Sequence, residues 1–392
     1  MATPELPFLD SGAPGFSTRS EDVLSARDRC WCARTPLGYA VLRHRQAGML
    51  LRDRRLRQGS HAWPDTVGIE GDFADFWRRS IISQEGDMHR TLRRIAQSAL
   101  SEDFVLSLEL QFAGIAASLA FGLEAQSSFD FVEEFSEPFA GRAIAMLLGL
   151  PETDAAALAR DASTLGLAMG PNAKQHEEAV NQACLRLSVL AEHLIDGGPA
   201  GSFVARASRA AQDAGLQDRQ ALIDLIVIAI FGGVDTTRAQ LAFAVVLFAR
   251  HKNQWTWLRE NPGAVPQAIE EVIRTWPTTT WATREALVDF DFDGIPIRAG
   301  DTLHIYVHAS GTDPAAGVFD GFDIRAARKS HFGFGGGAHH CLGQFVARTD
   351  MAAALSALLL RWKGITLAEE PQLLPDSGNT SPRSLRISPD WA

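Results

Sequence analysis

Apolar residues recur at three- and four-residue intervals over most of the chain, the period of a helix with one buried face. This pattern predicts helices over 102–123, 138–150, 154–167, 175–194 and about 266–275, and another from about 342 to 362. The stretch 218–250 is apolar on most sides, which predicts a central helix buried all round. Alternating patterns are sparse. The clearest cover 288–292, 295–297 and 302–307, separated by the turn formers Asp293-Gly294 and Ala299-Gly300. Short loop signals at 68–72, 196–202 and 261–266 read as connections inside one domain, 1–392. The predicted class is mainly α with a small β-sheet portion.

Composition adds a few exclusions. The chain is 46% apolar and 21% charged, ordinary for a globular protein with a large core. A formal net charge of −10 argues against nucleic acid as the main partner. The start, MATPELPFLDSGAPGF, has neither the basic n-region nor the apolar h-region of a signal peptide. The longest apolar run, 225–234, is too short to span a bilayer. A cytoplasmic monomer without a membrane anchor is expected. Cys30, Cys32, Cys184 and Cys341 show no paired spacing, so structural disulfides are not expected.

The most unusual chemistry lies at 331–343, HFGFGGGAHHCLG. Its glycines could form a phosphate loop, but no Gly-Lys-Ser/Thr follows. His331, His339, His340 and Cys341 could bind zinc, but three adjacent residues cannot easily converge on one tetrahedral ion. A third reading is a thiolate ligand to a large planar cofactor. Glycines would allow the turns and let backbone N–H groups approach the sulfur. The plainest alternative is a free buried cysteine in a turn.

The segment Phe334-Gly335-Gly336-Gly337-Ala338-His339-His340-Cys341-Leu342-Gly343 resembles the haem-binding signature of cytochromes P450, Phe-x-x-Gly-x-His/Arg-x-Cys-x-Gly. The resemblance implies the P450 fold, with haem b (heme b) as cofactor. It makes Cys341 the axial thiolate ligand of the iron, with Phe334 packed near the sulfur, His339 reaching a propionate and Gly343 completing the motif.

Other segments fall in the order this family requires. Glu271-Val272-Ile273-Arg274 is similar to its Glu-x-x-Arg pair, whose members share a helix face and form a structural ion pair. The usual third partner is an arginine of the following meander; here that region, 318–325, looks shortened and has no arginine in the usual place. Gly232-Gly233-Val234-Asp235-Thr236-Thr237 interrupts the apolar helix and resembles the oxygen-activation groove. There Thr236 would hydrogen-bond dioxygen or a neighbouring water, Asp235 would relay protons, and the glycines would leave room for ligand. His89, Arg93 and Arg284 stand where the family binds the haem propionates.

The resemblance implies a monooxygenase. Its electrons would come from a separate ferredoxin with a flavoprotein reductase. Arg90, Arg94, Arg328, Lys329 and Arg348 would offer a basic docking patch. The distal pocket would draw on 61–82, 163–171, Ile228, Gly232, Thr279, Thr280 and Trp281, a mix that suits a small to medium apolar terpenoid, aromatic or steroid-like molecule. Arg78 or Arg79 could supply a carboxylate contact. Two alternatives are a thiolate-haem sensor or binding protein, which would not need the acid–alcohol pair, and a peroxide-driven P450, which often replaces it.

Overall fold

The computed structural model describes residues 5–124, 126–170, 172–317, 321–327 and 330–392. They cluster into two compact units, each assembled from separated stretches of chain. The first takes Met1–Trp63, Glu270–Cys341 and Pro375–Thr380; the second takes Pro64–Ile269, Leu342–Leu374 and Ser381–Ala392.

A five-stranded sheet organises the first unit. Its spatial order is Cys32–Thr35, Gly38–Val41, Thr302–Tyr306, Trp281–Ala286, Leu56–Gln58. Neighbours run antiparallel except for Gly38–Val41 beside Thr302–Tyr306. Tyr39, Val41, Leu303 and Ile305 project into one core with Trp31, Leu50 and Phe332. A separate ribbon pairs Phe290–Phe292 with Ile295–Ile297. Asp293 and Gly294 make its turn with φ of 44° and 82°, the left-handed pair that a two-residue hairpin needs. Two of the three expected strands are therefore trimmed at their ends. Those at Cys32–Thr35, Gly38–Val41 and Leu56–Gln58 were not visible in the pattern.

Helices build the second unit around Arg219–Arg250. Asp218 caps this helix, its Oδ1 accepting from the Ala221 N–H at 3.1 Å. At 32 residues it is long and apolar enough to cross a membrane, which the apolar run 225–234 understated, but 67% of its most apolar window is buried inside the protein. Glu137–Leu148, Ala155–Gly166 and Glu177–Gly197 lie against it and match expectation within a few residues. The expected helix 102–123 is instead two, Glu102–Leu106 and Glu109–Gly122. At the break the Ser107 hydroxyl donates to the Phe104 carbonyl at 2.6 Å, competing with the helical backbone. A small sheet of Phe129–Asp130, Arg386–Trp391 and Trp362–Leu367 completes this unit.

Candidate active site

The cysteine loop belongs to the first unit. Gly335 and Gly337 have φ of 67° and 69°. A Cβ on Gly337 would also lie 2.1 Å from the Leu51 carbonyl oxygen, so no other residue fits there. The Cys341 N–H donates to the Phe334 carbonyl at 2.9 Å, closing the turn on itself. Cys341 is exposed at its tip. Cys32 and Cys184 are buried, and burial pushes both thiols up, Cys184 to about 12, so neither is a ready thiolate. Phe334 is half-buried, with its ring 6.4 Å from that of His340. His339 ends the short 3-10 turn Gly337–His339. Beyond the cysteine, Gly343 immediately precedes the helix Gln344–Arg361, which starts two residues later than expected.

Two elements brace this loop. Arg284 is buried, and its Nη2 donates to the Gly336 carbonyl at 3.1 Å while Nη1 donates to Gln58 Oε1 at 3.0 Å. The sheet thus delivers an arginine to the loop's underside. The helix Val265–Thr275 supplies the other brace. Arg274 grips Glu271 through two hydrogen bonds of 2.7 and 2.9 Å, with both side chains almost wholly buried. Backbone groups of the described residues also bind the pair. Arg274 donates to the carbonyls of Gly311 and Gly321 at 3.1 and 2.7 Å, and the Asp323 N–H donates to Glu271 at 2.7 Å. These main-chain contacts are invisible in a search for side chains. The expected meander 318–325 is described from Gly321 onward. His331, which opens the loop, shares a 3.1 Å hydrogen bond with Glu270 on the same helix.

The second unit carries the acid–alcohol segment. Along 221–249 the central helix is buried except at Ile228, Ala229, Gly232, Gly233 and Thr236, which are half-buried. Positions 228, 232 and 236 lie four apart, so the uncovered residues form one stripe. A Cβ on Gly232 would meet nothing within 4 Å, whereas one on Gly233 would lie 2.3 Å from Ile144 Cδ1. Gly233 admits a neighbouring helix, and Gly232 leaves the stripe open. The Thr236 hydroxyl donates back to the Gly232 carbonyl at 2.5 Å. Asp235 is buried and ion-paired to Arg238 at 2.8 Å, and Arg238 reaches Ser381 at 3.4 Å. Sequence reasoning missed Arg238, though an arginine three residues after an acid in an apolar helix was its available signal. Asp350 takes a 3.2 Å hydrogen bond from Thr237, and burial holds its carboxyl well above the usual range.

His89 and Arg93 share a face of Gly86–Ala99, the first buried and the second half-buried. Of the basic residues considered for docking, Arg90 and Arg94 are exposed and Arg348 is half-buried; Arg328 and Lys329 lie outside the described residues. Among the expected pocket aromatics, Phe73, Phe76, Trp77 and Trp281 are buried and Trp63 is half-buried. Phe73 stacks on Trp77 at 5.7 Å, Trp77 meets Phe231 at 6.5 Å, and Phe76 is buried beside them. Trp281 is likewise buried, stacked on Tyr306 at 6.0 Å, and Thr280 is fully buried, which leaves Thr279 half-buried. Arg78 and Arg79 are already engaged, by Asp65 and Asp224, each at 2.8 Å.

One unit carries a glycine-shaped turn with an exposed cysteine. The other carries a buried helix on which Ile228, Ala229, Gly232, Gly233 and Thr236 stay half-buried. The chain belongs to the cytochrome P450 family. The family model "Cytochrome P450" matches residues 202–386. Luteothin monooxygenase of Streptomyces thioluteus is 34% identical over 396 residues, covering 98% of this chain and 96% of that protein. The 20-oxo-5-O-mycaminosyltylactone 23-monooxygenase of Streptomyces fradiae is 33% identical over 59% of this chain and 55% of that one. The crystal structure of CalO2 superposes with a TM-score of 0.85 at 27% identity, covering 96% of this chain and 99% of that one. The protein is a P450 monooxygenase whose cofactor is haem b.

Proposed function

We propose that residues 1–392 form one haem domain in which Cys341 is the axial thiolate. His89, Arg93, Arg284 and His339 hold the propionates, while Phe334 and Gly343 shape the surroundings of the sulfur. When bound, thiolate-ligated haem supplies dioxygen activation and transfer of one oxygen atom to an organic substrate, with water as the second product. Glu271 and Arg274 act structurally, by fixing the main chain that leads to the cysteine loop.

The observation that carries this reading is the uncovered stripe with a polar pair at its end. A buried helix has no reason to leave Ile228, Gly232 and Thr236 half-covered unless a ligand covers them. Thr236, turned back on Gly232, offers its oxygen as an acceptor at that stripe. Asp235 is the carboxylate that can carry a proton there. Arg238 fixes where its carboxylate rests, so proton delivery requires that ion pair to loosen.

The substrate is an apolar organic molecule. A terpenoid, aromatic or steroid-like skeleton suits Ile228 and Thr279, and the relative named for a tylactone extends the range to oxygenated lactones. No arginine of 61–82 is left to require a carboxylate, because Arg78 and Arg79 are paired with acids. Electrons come from a separate ferredoxin and flavoprotein reductase in the cytoplasm, drawn to a basic surface that includes Arg90 and Arg94.

The deciding experiment reconstitutes the haem protein with a surrogate ferredoxin and reductase and screens a substrate library for spin-state shifts. The reduced carbon monoxide complex should absorb where thiolate-ligated haem does. Cys341→Ser and Cys341→His should each lose that band and all turnover. Retention of the band in either variant would remove Cys341 from the assignment.

A further inference from the structure

The run Thr278-Thr279-Thr280 is built into a short ladder with 378–380, all within the first unit. The Thr280 N–H donates to the Gly378 carbonyl and the Thr380 N–H to the Thr278 carbonyl, each at 2.8 Å. Thr279 lies directly opposite Asn379 in an antiparallel bridge. Neighbouring hydroxyls are spent on this framework. Thr278 Oγ1 donates to the Thr380 carbonyl at 2.8 Å, and Thr280 Oγ1 accepts from the Gly378 N–H at 3.0 Å. Thr279 and Asn379 are different. Both are half-buried, and as opposed residues they project to the same side of the ladder. Neither side chain has a hydrogen-bond partner among the described residues.

The ladder is also held more firmly than two short strands require. At one end, Asp376 accepts from the Thr18 N–H and the Thr18 hydroxyl, both at 2.6 Å. Arg19 lies 3.6 Å from Asp376, donates to the Pro277 carbonyl at 2.7 Å and sits 5.7 Å over the Trp276 ring. The side chains of Arg19 and Asp376 are 9% and 3% exposed. Burial lowers the pKa of Arg19, and Asp376 opposes that shift. At the other end, the Val307 N–H donates to the Thr280 carbonyl at 3.0 Å, joining the ladder to the five-stranded sheet. Burying a charge pair is costly. Here it fixes the backbone that carries Thr279 and Asn379 opposite each other, and such support is what recognition by hydrogen bonds needs.

We propose that Thr279 and Asn379 form a two-point anchor for a carbonyl oxygen of the substrate, a ketone or a lactone. The Thr279 hydroxyl and the Asn379 amide each donate to it. The apolar remainder of the molecule supplies most of the affinity, and the anchored carbonyl sets which carbon is presented for oxidation. This inference rests on the P450 reading above and adds the chemical class of the recognised group.

The test uses full-length holoprotein and spin-state titration of matched probes: trans-chalcone with trans-stilbene, progesterone with 5α-pregnane, and 2-tetradecanone with tetradecane. For at least one pair, Thr279→Val and Asn379→Leu should each weaken the ketone about tenfold, the value of one or two net hydrogen bonds, and leave the hydrocarbon within about twofold. Thr279→Ser should keep the wild-type ketone affinity. An absence of ketone selectivity in the wild-type protein overturns the proposal, as does an equal change for ketone and hydrocarbon in both variants. Haem content and the carbon monoxide band are measured in every sample. Their loss in the wild-type protein would count against the P450 reading, whereas their retention with unchanged ketone binding would count against the anchor alone.

Discussion

At the scale of single residues, the role proposed for the polar pair on the central helix separates oxygen chemistry from ligand binding. Thr236 and Asp235 sit where an acid and an alcohol are costly unless satisfied, and the structure satisfies them locally, through Gly232 and Arg238. Thr236→Ala should leave the haem spectrum and substrate affinity nearly unchanged. Reducing equivalents should then leak to peroxide, because proton delivery is no longer ordered. Asp235→Asn removes the carboxylate and should slow turnover instead. Cofactor consumption, peroxide and organic product must be measured together. Full coupling in Thr236→Ala with a native rate in Asp235→Asn would remove both residues from the mechanism.

Elements decide how the site is held open and braced. Gly232 weakens the central helix but meets no neighbour, so Gly232→Ala should stabilise the haem-free protein by about 1 kcal/mol. The same methyl group would intrude on the uncovered stripe and should weaken type-II binding of bulky azoles. Thermal unfolding and azole titration read these opposite effects, and a variant that binds azoles as tightly as wild type would place the ligand elsewhere. The helix Val265–Thr275 carries the buried brace. Glu271→Ala strips Arg274 of its bidentate partner and leaves a buried charge, at a cost on the order of 3–5 kcal/mol. Little haem-loaded protein should be recovered; a normal yield and haem content would show that the backbone contacts alone suffice.

For the whole molecule, the buried His304 and the half-buried His308 of the first unit set a pH limit. Burial lowers the pKa of His304 to about 4. His308 goes to about 3, through burial and then the nearby Arg19, with Arg27 and Arg274 acting in the same direction. A lowered pKa means that the unfolded chain binds the proton more readily. Stability is therefore intact above the unfolded value of about 6.5 and is lost as pH falls toward the folded values. For His304 the full difference is on the order of 3 kcal/mol. Asp350 acts in the opposite sense, because its raised pKa favours the native state at low pH and costs stability as pH rises. Urea unfolding should show stability falling between pH 6.5 and 5, and the slope should shrink in His304→Leu. An unchanged slope would mean that another group controls the acid limb.

Much of this protein is determined locally, and local features are legible in a sequence. The central helix announces itself because its apolar residues surround it on most sides. The loop around Cys341 does so because positive φ at Gly335 and Gly337 tolerates no side chain, and Glu271 and Arg274 because i and i+3 share a helix face. What tertiary structure alone decided depends on partners distant in the chain. The Glu271–Arg274 pair also binds main-chain groups of Gly311, Gly321 and Asp323, which no residue type reveals. Phe73, Trp77 and Trp281 look like pocket aromatics in one dimension, yet packing buries them in the core, since burial belongs to the neighbours rather than to the residue. The anchor of Thr279 and Asn379 exists only because the chain returns after 98 residues to pair Thr280 with Gly378, spending two threonine hydroxyls of the run and leaving one.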